Sequence, residues 1–233
     1  MAWSPPLRRM FDRSIGVALD RQSWLANRIG DATWGFDMAT GLMRFDDPKT
    51  GAVITTACQV LGTESAETET WLWAWANEAS GIPTSLIETA RALGQVGSER
   101  GVPEFSAPSL DLADVDGHTL AVVASAAHAV AGYYRAPYDG GALYVLLSGP
   151  ELVEEAPPPP MIRFVTGWAR VNSAVPDQLS EPRVALAAYA QHLGLETTDL
   201  TADIVEVRGR GGAARVHLDA LGRTMQIEAS AAP

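Results

Sequence analysis

The side chains able to do chemistry in this chain are few and scattered. Its four histidines, His118, His128, His192 and His217, never fall within five residues of one another. No pair therefore has local ligand spacing, and no metal site is expected. His128 lies in the apolar run Leu120–Tyr134. A buried imidazole there is either a satisfied core residue or a general base facing a pocket. Asp37, which follows Trp34-Gly-Phe, is the other candidate base. Glu64, Glu67 and Glu69 could flank a cleft in acid–base work, although solvated turn carboxylates are the plainer reading. His118 is expected at a helix start after Asp116-Gly117.

Other routes to catalysis close on inspection. Cys58 sits in an apolar run with no neighbouring cation to lower its pKa, so it reads as a small buried hydrophobe. The single lysine, Lys49, occupies the turn Asp46-Asp-Pro-Lys-Thr-Gly51 and makes a poor covalent nucleophile. Gly209-Arg-Gly211-Gly-Ala-Ala214 has the glycines of a dinucleotide loop, but β-patterned residues lie on both sides. That makes it a hairpin turn, because pyrophosphate binding needs a helix to follow. Phosphate-loop, zinc-helix, calcium-loop, paired-cysteine and serine-elbow motifs are absent. No cofactor is expected, and a non-enzymatic role is favoured.

The strongest pointer to binding is Thr70-Trp-Leu-Trp-Ala-Trp-Ala-Asn77. As a strand it sets Trp71, Trp73 and Trp75 on one face and Leu72, Ala74 and Ala76 on the other. Three indoles on one face either fill a core or line a concavity where a ligand docks. Trp34, on an adjacent strand, and Tyr134 complete the candidate binding set.

The elements that must hold these residues follow from periodicity. Apolar positions recur every three or four residues from Arg9 to Ile29, which predicts an amphipathic helix ended by Gly30. Short β-patterned runs at 33–37, 42–46 and 53–63 are separated by turn sequences. A helix is expected after Pro83, a loop over 98–117, a buried helix over 120–134 and a strand at 142–147. The fold class is α+β, with helices packed on a bent antiparallel sheet containing 33–77 and 142–147. Cystatin-like, NTF2-like and secretion-chaperone-like layers are the nearest architectures by analogy. The run Glu151–Pro160, with four consecutive prolines, reads as a linker between a domain at 1–150 and a small α+β unit at 161–233. That unit is expected to hold helices near 162–175 and 183–193, then a three-stranded meander.

Charge narrows the partners. The formal net charge is −11, and residues 31–117 carry fourteen acids against four basic groups. Such a field repels phosphate backbones, which disfavours nucleic acid, and speeds encounter with a basic protein. A single cysteine permits no internal disulfide and suits a reducing cytoplasm. The first residues lack a secretory apolar stretch, and no apolar run is long enough to span a membrane.

Together Leu61-Gly-Thr63, Trp71–Asn77, Trp34-Gly-Phe-Asp37, Tyr133-Tyr-Arg-Ala-Pro137 and Asp219-Ala-Leu-Gly-Arg223 resemble a bacterial family catalogued as a domain of unknown function. Its core is Trp-x-Trp-Ala-Trp-x-Asn, and the resemblance runs over roughly residues 10–229. It implies a complete bacterial protein and carries over no activity or catalytic residue. Two functions are therefore expected. The first is an immunity-type or chaperone-like module presenting its acidic middle third to a basic protein. The alternative is a small-molecule binder or enzyme with a Trp-lined pocket, using His128 or Asp37 as base.

Overall fold

Two prolines at the first helical positions, with a serine before them, start α1 (Pro5–Ile29). Ser4 Oγ accepts the Leu7 amide at 3.3 Å, and Gly30, at φ 53°, ends the helix. The computed structural model describes residues 3–128 and 130–231 and has an α+β fold. The chain divides into two units: residues up to Leu7 with Arg21–Val153, and Arg8–Asp20 with Glu154 onward. No helix among the described residues is long and apolar enough to cross a membrane.

The first unit is built on a seven-stranded antiparallel sheet. Hairpin turns join β1 (Thr33–Asp37), β2 (Leu42–Asp46) and β3 (Val53–Ser65). β4 (Thr70–Trp73) follows, then α2 (Glu88–Arg100), the single turn α3 (Pro103–Ser106) and β5 (Ser109–Asp111). α4 (Gly117–Ala127) precedes the hairpin of β6 (Gly132–Tyr138) and β7 (Gly141–Ser148). β3 organises the sheet: β2 and then β4 pair along one edge, and β7 along the other. The register shifts between Val60 and Gly62, and an extra residue of this kind bends a strand. α2 packs on β3, and α4 packs on β3, β6 and β7. Met43, Val60, Trp71, Trp73, Tyr144 and Leu147 are fully buried.

Three sequence expectations are corrected in this unit. The tryptophan run is not one strand: β4 stops at Trp73, and Ala74–Ala76 coil into a 3-10 turn. The cause lies across the ladder, where Leu72 pairs with Ser109 and Pro108 comes next. Proline has no N–H to continue the pairing, so the strand ends. The apolar run 120–134 is not one helix either: α4 ends at Ala127, and Gly132 begins β6. The Tyr-Tyr-Arg-Ala alternation answers the open edge of β7, and tertiary pairing overrides the helical reading. Finally, 98–117 is not one loop; it holds the end of α2, then α3 and β5.

The second unit contains α5 (Pro160–Ala174), α6 (Pro182–His192), β8 (Glu196–Asp199), β9 (Ile204–Gly209), β10 (Gly212–Leu218) and β11 (Thr224–Ala231). The strands form a meander of four, one more than expected. β8 has no apolar alternation to announce it, since all four of its residues are exposed. Val205, Val207, Ala214, Val216 and Leu218 are buried, with α5 packed on β9 to β11 and α6 on β8. The buried Asp12 of α1 accepts from the Ser180 amide at 3.1 Å, Ser180 Oγ at 2.5 Å and the Glu181 amide at 2.9 Å, fixing the start of α6. Asp20 pairs with Arg163 at 2.6 Å, and Arg163 reaches Glu154 at 3.3 Å.

Candidate functional site

Three connections of the first unit meet at one end of its sheet: the β3–β4 turn, the β5–α4 loop and the β6–β7 turn. The Ala66 amide donates to the Gly140 carbonyl and the Leu112 amide to the Glu69 carbonyl, both at 2.9 Å. The topology gathers there Glu64, Glu67 and Glu69 from β3 and its turn, Asp111, Asp114 and Asp116 from β5 and its loop, and Asp139 from the β6–β7 turn. Glu69 has φ 52°, the only positive φ outside glycine among the described residues. A carboxylate stands where glycine would be conformationally cheaper by about 1 kcal/mol.

Beneath this acidic rim lies a rigid frame. Glu64 Oε1 accepts from the Gly117 amide and the Tyr144 hydroxyl, each at 2.9 Å, and Oε2 lies 3.3 Å from Arg135 Nε. One carboxylate thereby ties the N-terminus of α4 to β6 and β7. Asp116 caps the same helix, accepting the Thr119 amide at 2.7 Å. The buried Tyr144 packs edge-on against Trp71 and against His118, with ring centroids 5.3 Å apart in both pairs. His118 Nδ1 lies 3.1 Å from the Tyr133 hydroxyl. Burial, with a smaller contribution from Asp116, pushes the Tyr133 phenol up to about 12, and burial followed by Glu64 raises Tyr144 as well. Neither phenol is activated as a nucleophile or base, and the Glu64 lone pairs are spent on structure. Among the described residues no three His, Cys, Asp or Glu side chains are grouped to hold a metal ion.

Glu67, Glu69, Asp111, Asp114 and Asp139 form no ion pair with any described residue. Beside them Tyr138 is 47% exposed. The chemistry on offer is recognition: several unpaired carboxylates next to an accessible ring.

The residues singled out from sequence are dispersed. Trp71 and Trp73 are fully buried, their rings edge-on at 5.3 Å, and Trp73 Nε1 donates to the Glu104 carbonyl at 2.9 Å. Trp75 leaves them for the 3-10 turn, is half-buried and lines a separate cavity. Trp34, half-buried on β1, pairs in register with Phe45, and Tyr134 meets the same Phe45 edge-on at 5.0 Å. His128 is no mid-helix residue but the C-cap of α4. Arg21 donates to its carbonyl at 3.0 Å, and partial burial lowers its imidazole pKa. Asp37 is exposed and accepts from Thr40 Oγ1 at 2.7 Å and the Ala39 amide at 2.9 Å, contacts that hold its pKa down. It is a turn carboxylate kept ionised. Glu64 and His118 came into view from sequence only one at a time. Tyr138, Asp139, Tyr144 and Arg135 were missed, because the pairing of β6 with β7 that joins them to Glu64 is non-local.

The model of a family described as "Family of unknown function (DUF6882)" matches residues 8–150, a span that includes every residue of the acidic end. No curated protein matches the chain. No solved structure matches it either.

Proposed function

From a chain that belongs to this family of unknown function, and whose family names no activity, we propose a non-enzymatic module that docks a basic protein on the acidic end of its first unit. The observation that carries this reading is the gathering of seven carboxylates at one end of the sheet, with Glu67, Glu69, Asp111, Asp114 and Asp139 in no ion pair with any described residue, beside an exposed Tyr138. Each exposed ion pair is worth about 0–1 kcal/mol, so the carboxylates would serve encounter rate and orientation more than affinity. Tyr138 supplies the anchor, since accessible tyrosines often carry much of the energy of an interface. An immunity-type or chaperone-like module, whose partner presents lysine and arginine, fits this chemistry. Nucleic acid does not, because the same carboxylates repel phosphate. The single, buried cysteine is compatible with a bacterial cytoplasm as the setting.

The test is the affinity of a lysine- and arginine-rich probe peptide for two variants of equal net charge. One carries Glu67→Gln, Glu69→Gln, Asp114→Asn and Asp139→Asn. The other carries Glu78→Gln, Glu88→Gln, Glu99→Gln and Glu151→Gln, all exposed positions outside the acidic end. The first variant is expected to bind at least tenfold more weakly than the second. Equal weakening would mean that bulk charge alone draws the peptide and would overturn the reading.

A further inference from the structure

The early end of β4 has a second consequence, independent of the acidic end. The 3-10 turn carries Trp75 off the sheet and onto α2 at Gly94. A Cβ built on Gly94 would lie 3.3 Å from Trp75 Nε1 and 3.5 Å from Cε2, so the glycine seats the indole a few tenths of an ångström closer than a side chain would. A cavity of about 530 Å³ opens beside it, walled by Trp75 and Gly94 and edged by Arg91, Gln95, Ser98 and Ser106. Arg91, Gln95 and Ser98 recur at helical spacing and so share one face of α2. Glu99 also borders the cavity.

Two features define what fits. Arg44, Lys49 and Arg135 are paired with Asp46, Asp31 and Glu64, whereas Arg91, like Arg100 at the far end of α2, makes no ion pair with any described residue. An exposed guanidinium left unpaired in so acidic a segment, next to an indole and small hydroxyls, presents a planar fork to an external carboxylate. Glu99 on the rim opposes a second negative charge. The geometry points to a binding site for a small aromatic monocarboxylate, its ring against Trp75 and its carboxylate on Arg91. The volume falls within the range of about 300–1,000 Å³ usual for small-molecule sites and holds a ligand of one or two rings.

The probes are indole-3-acetate, its neutral amide indole-3-acetamide, and the dianion phenyl phosphate. The readout is the Trp75 indole N–H resonance, assigned by its loss in Trp75→Phe. Indole-3-acetate is expected to shift that resonance saturably and to bind at least tenfold more tightly than either other probe. In Arg91→Gln, an exposed substitution that leaves the fold intact, this preference over the amide should vanish. The proposal is overturned if indole-3-acetate produces no saturable shift at millimolar concentration, if the amide binds as tightly, or if Arg91→Gln leaves the preference unchanged. None of these outcomes bears on the acidic end, which takes no part in the measurement.

Discussion

Glu64 shows how a carboxylate flagged as a possible acid–base group becomes a structural tie. Its oxygens accept from an amide and a phenol and face a guanidinium, and the phenol it holds is buried. The tyrosines around it give a pH signature. The Tyr133 phenol is raised from 10.0 to about 12 in the folded protein, and burial also raises Tyr144 and Tyr189. A group raised in this way contributes its full stability below the unfolded value and loses it as pH climbs toward the folded one. Stability is therefore expected to fall between about pH 10 and 12, by up to about 1.4 kcal/mol per pH unit for each such tyrosine. Denaturant midpoints across this range should drop, with the tyrosinate absorbance of the buried rings appearing only as the chain unfolds, and Tyr133→Phe should flatten the loss. Full tyrosinate absorbance near pH 10 with an unchanged midpoint would contradict the burial argument. Cys58, raised by burial to about 12, should likewise resist alkylation until the protein unfolds.

The decisive contacts between elements crowd around Gly117, the first residue of α4. A Cβ there would meet Glu64 Oε1, Trp71 Cζ3 and Tyr144 Cε2, each at 2.8 Å. The two rings are buried and have nowhere to go, so Gly117→Ala is expected to cost about 1–3 kcal/mol by overpacking. Gly35→Ala, on β1 with open space around it, should change stability by less than about 0.5 kcal/mol. Similar losses for both in denaturant melts would show that Gly117 is not a contact point.

Elements were legible in the sequence where one face alone decided their pattern: α1 by its apolar stripe, β1 to β3 by their turns, and β9 to β11 by alternation. They were illegible where a distant neighbour decided. Pro108 ends β4 from across the ladder, and the free edge of β7 draws Gly132–Tyr138 into a strand. The candidate site suffered for the same reason. Trp71 and Trp73 did share a face, but that face is core, and Trp75 went elsewhere. The acidic end was visible only as a sum of charge over 31–117, because no local pattern shows that the turns at 65–70, 111–117 and 138–141 lie side by side.

At the scale of the whole molecule, the net charge of −11 is unevenly spread, and its distribution gives direction. Interactions of exposed charges fade beyond about 10 Å at 0.1 M salt, so only the carboxylates gathered at one end would act together on the basic partner proposed above. Carbodiimide coupling of the native protein to the lysine- and arginine-rich probe peptide, mapped by mass spectrometry at low and high salt, tests this most directly. The account predicts coupling concentrated on Glu67, Glu69, Asp114 and Asp139 and lost as salt rises. Coupling spread in equal proportion over Glu78, Glu88 and Glu99, or unaffected by salt, would contradict it.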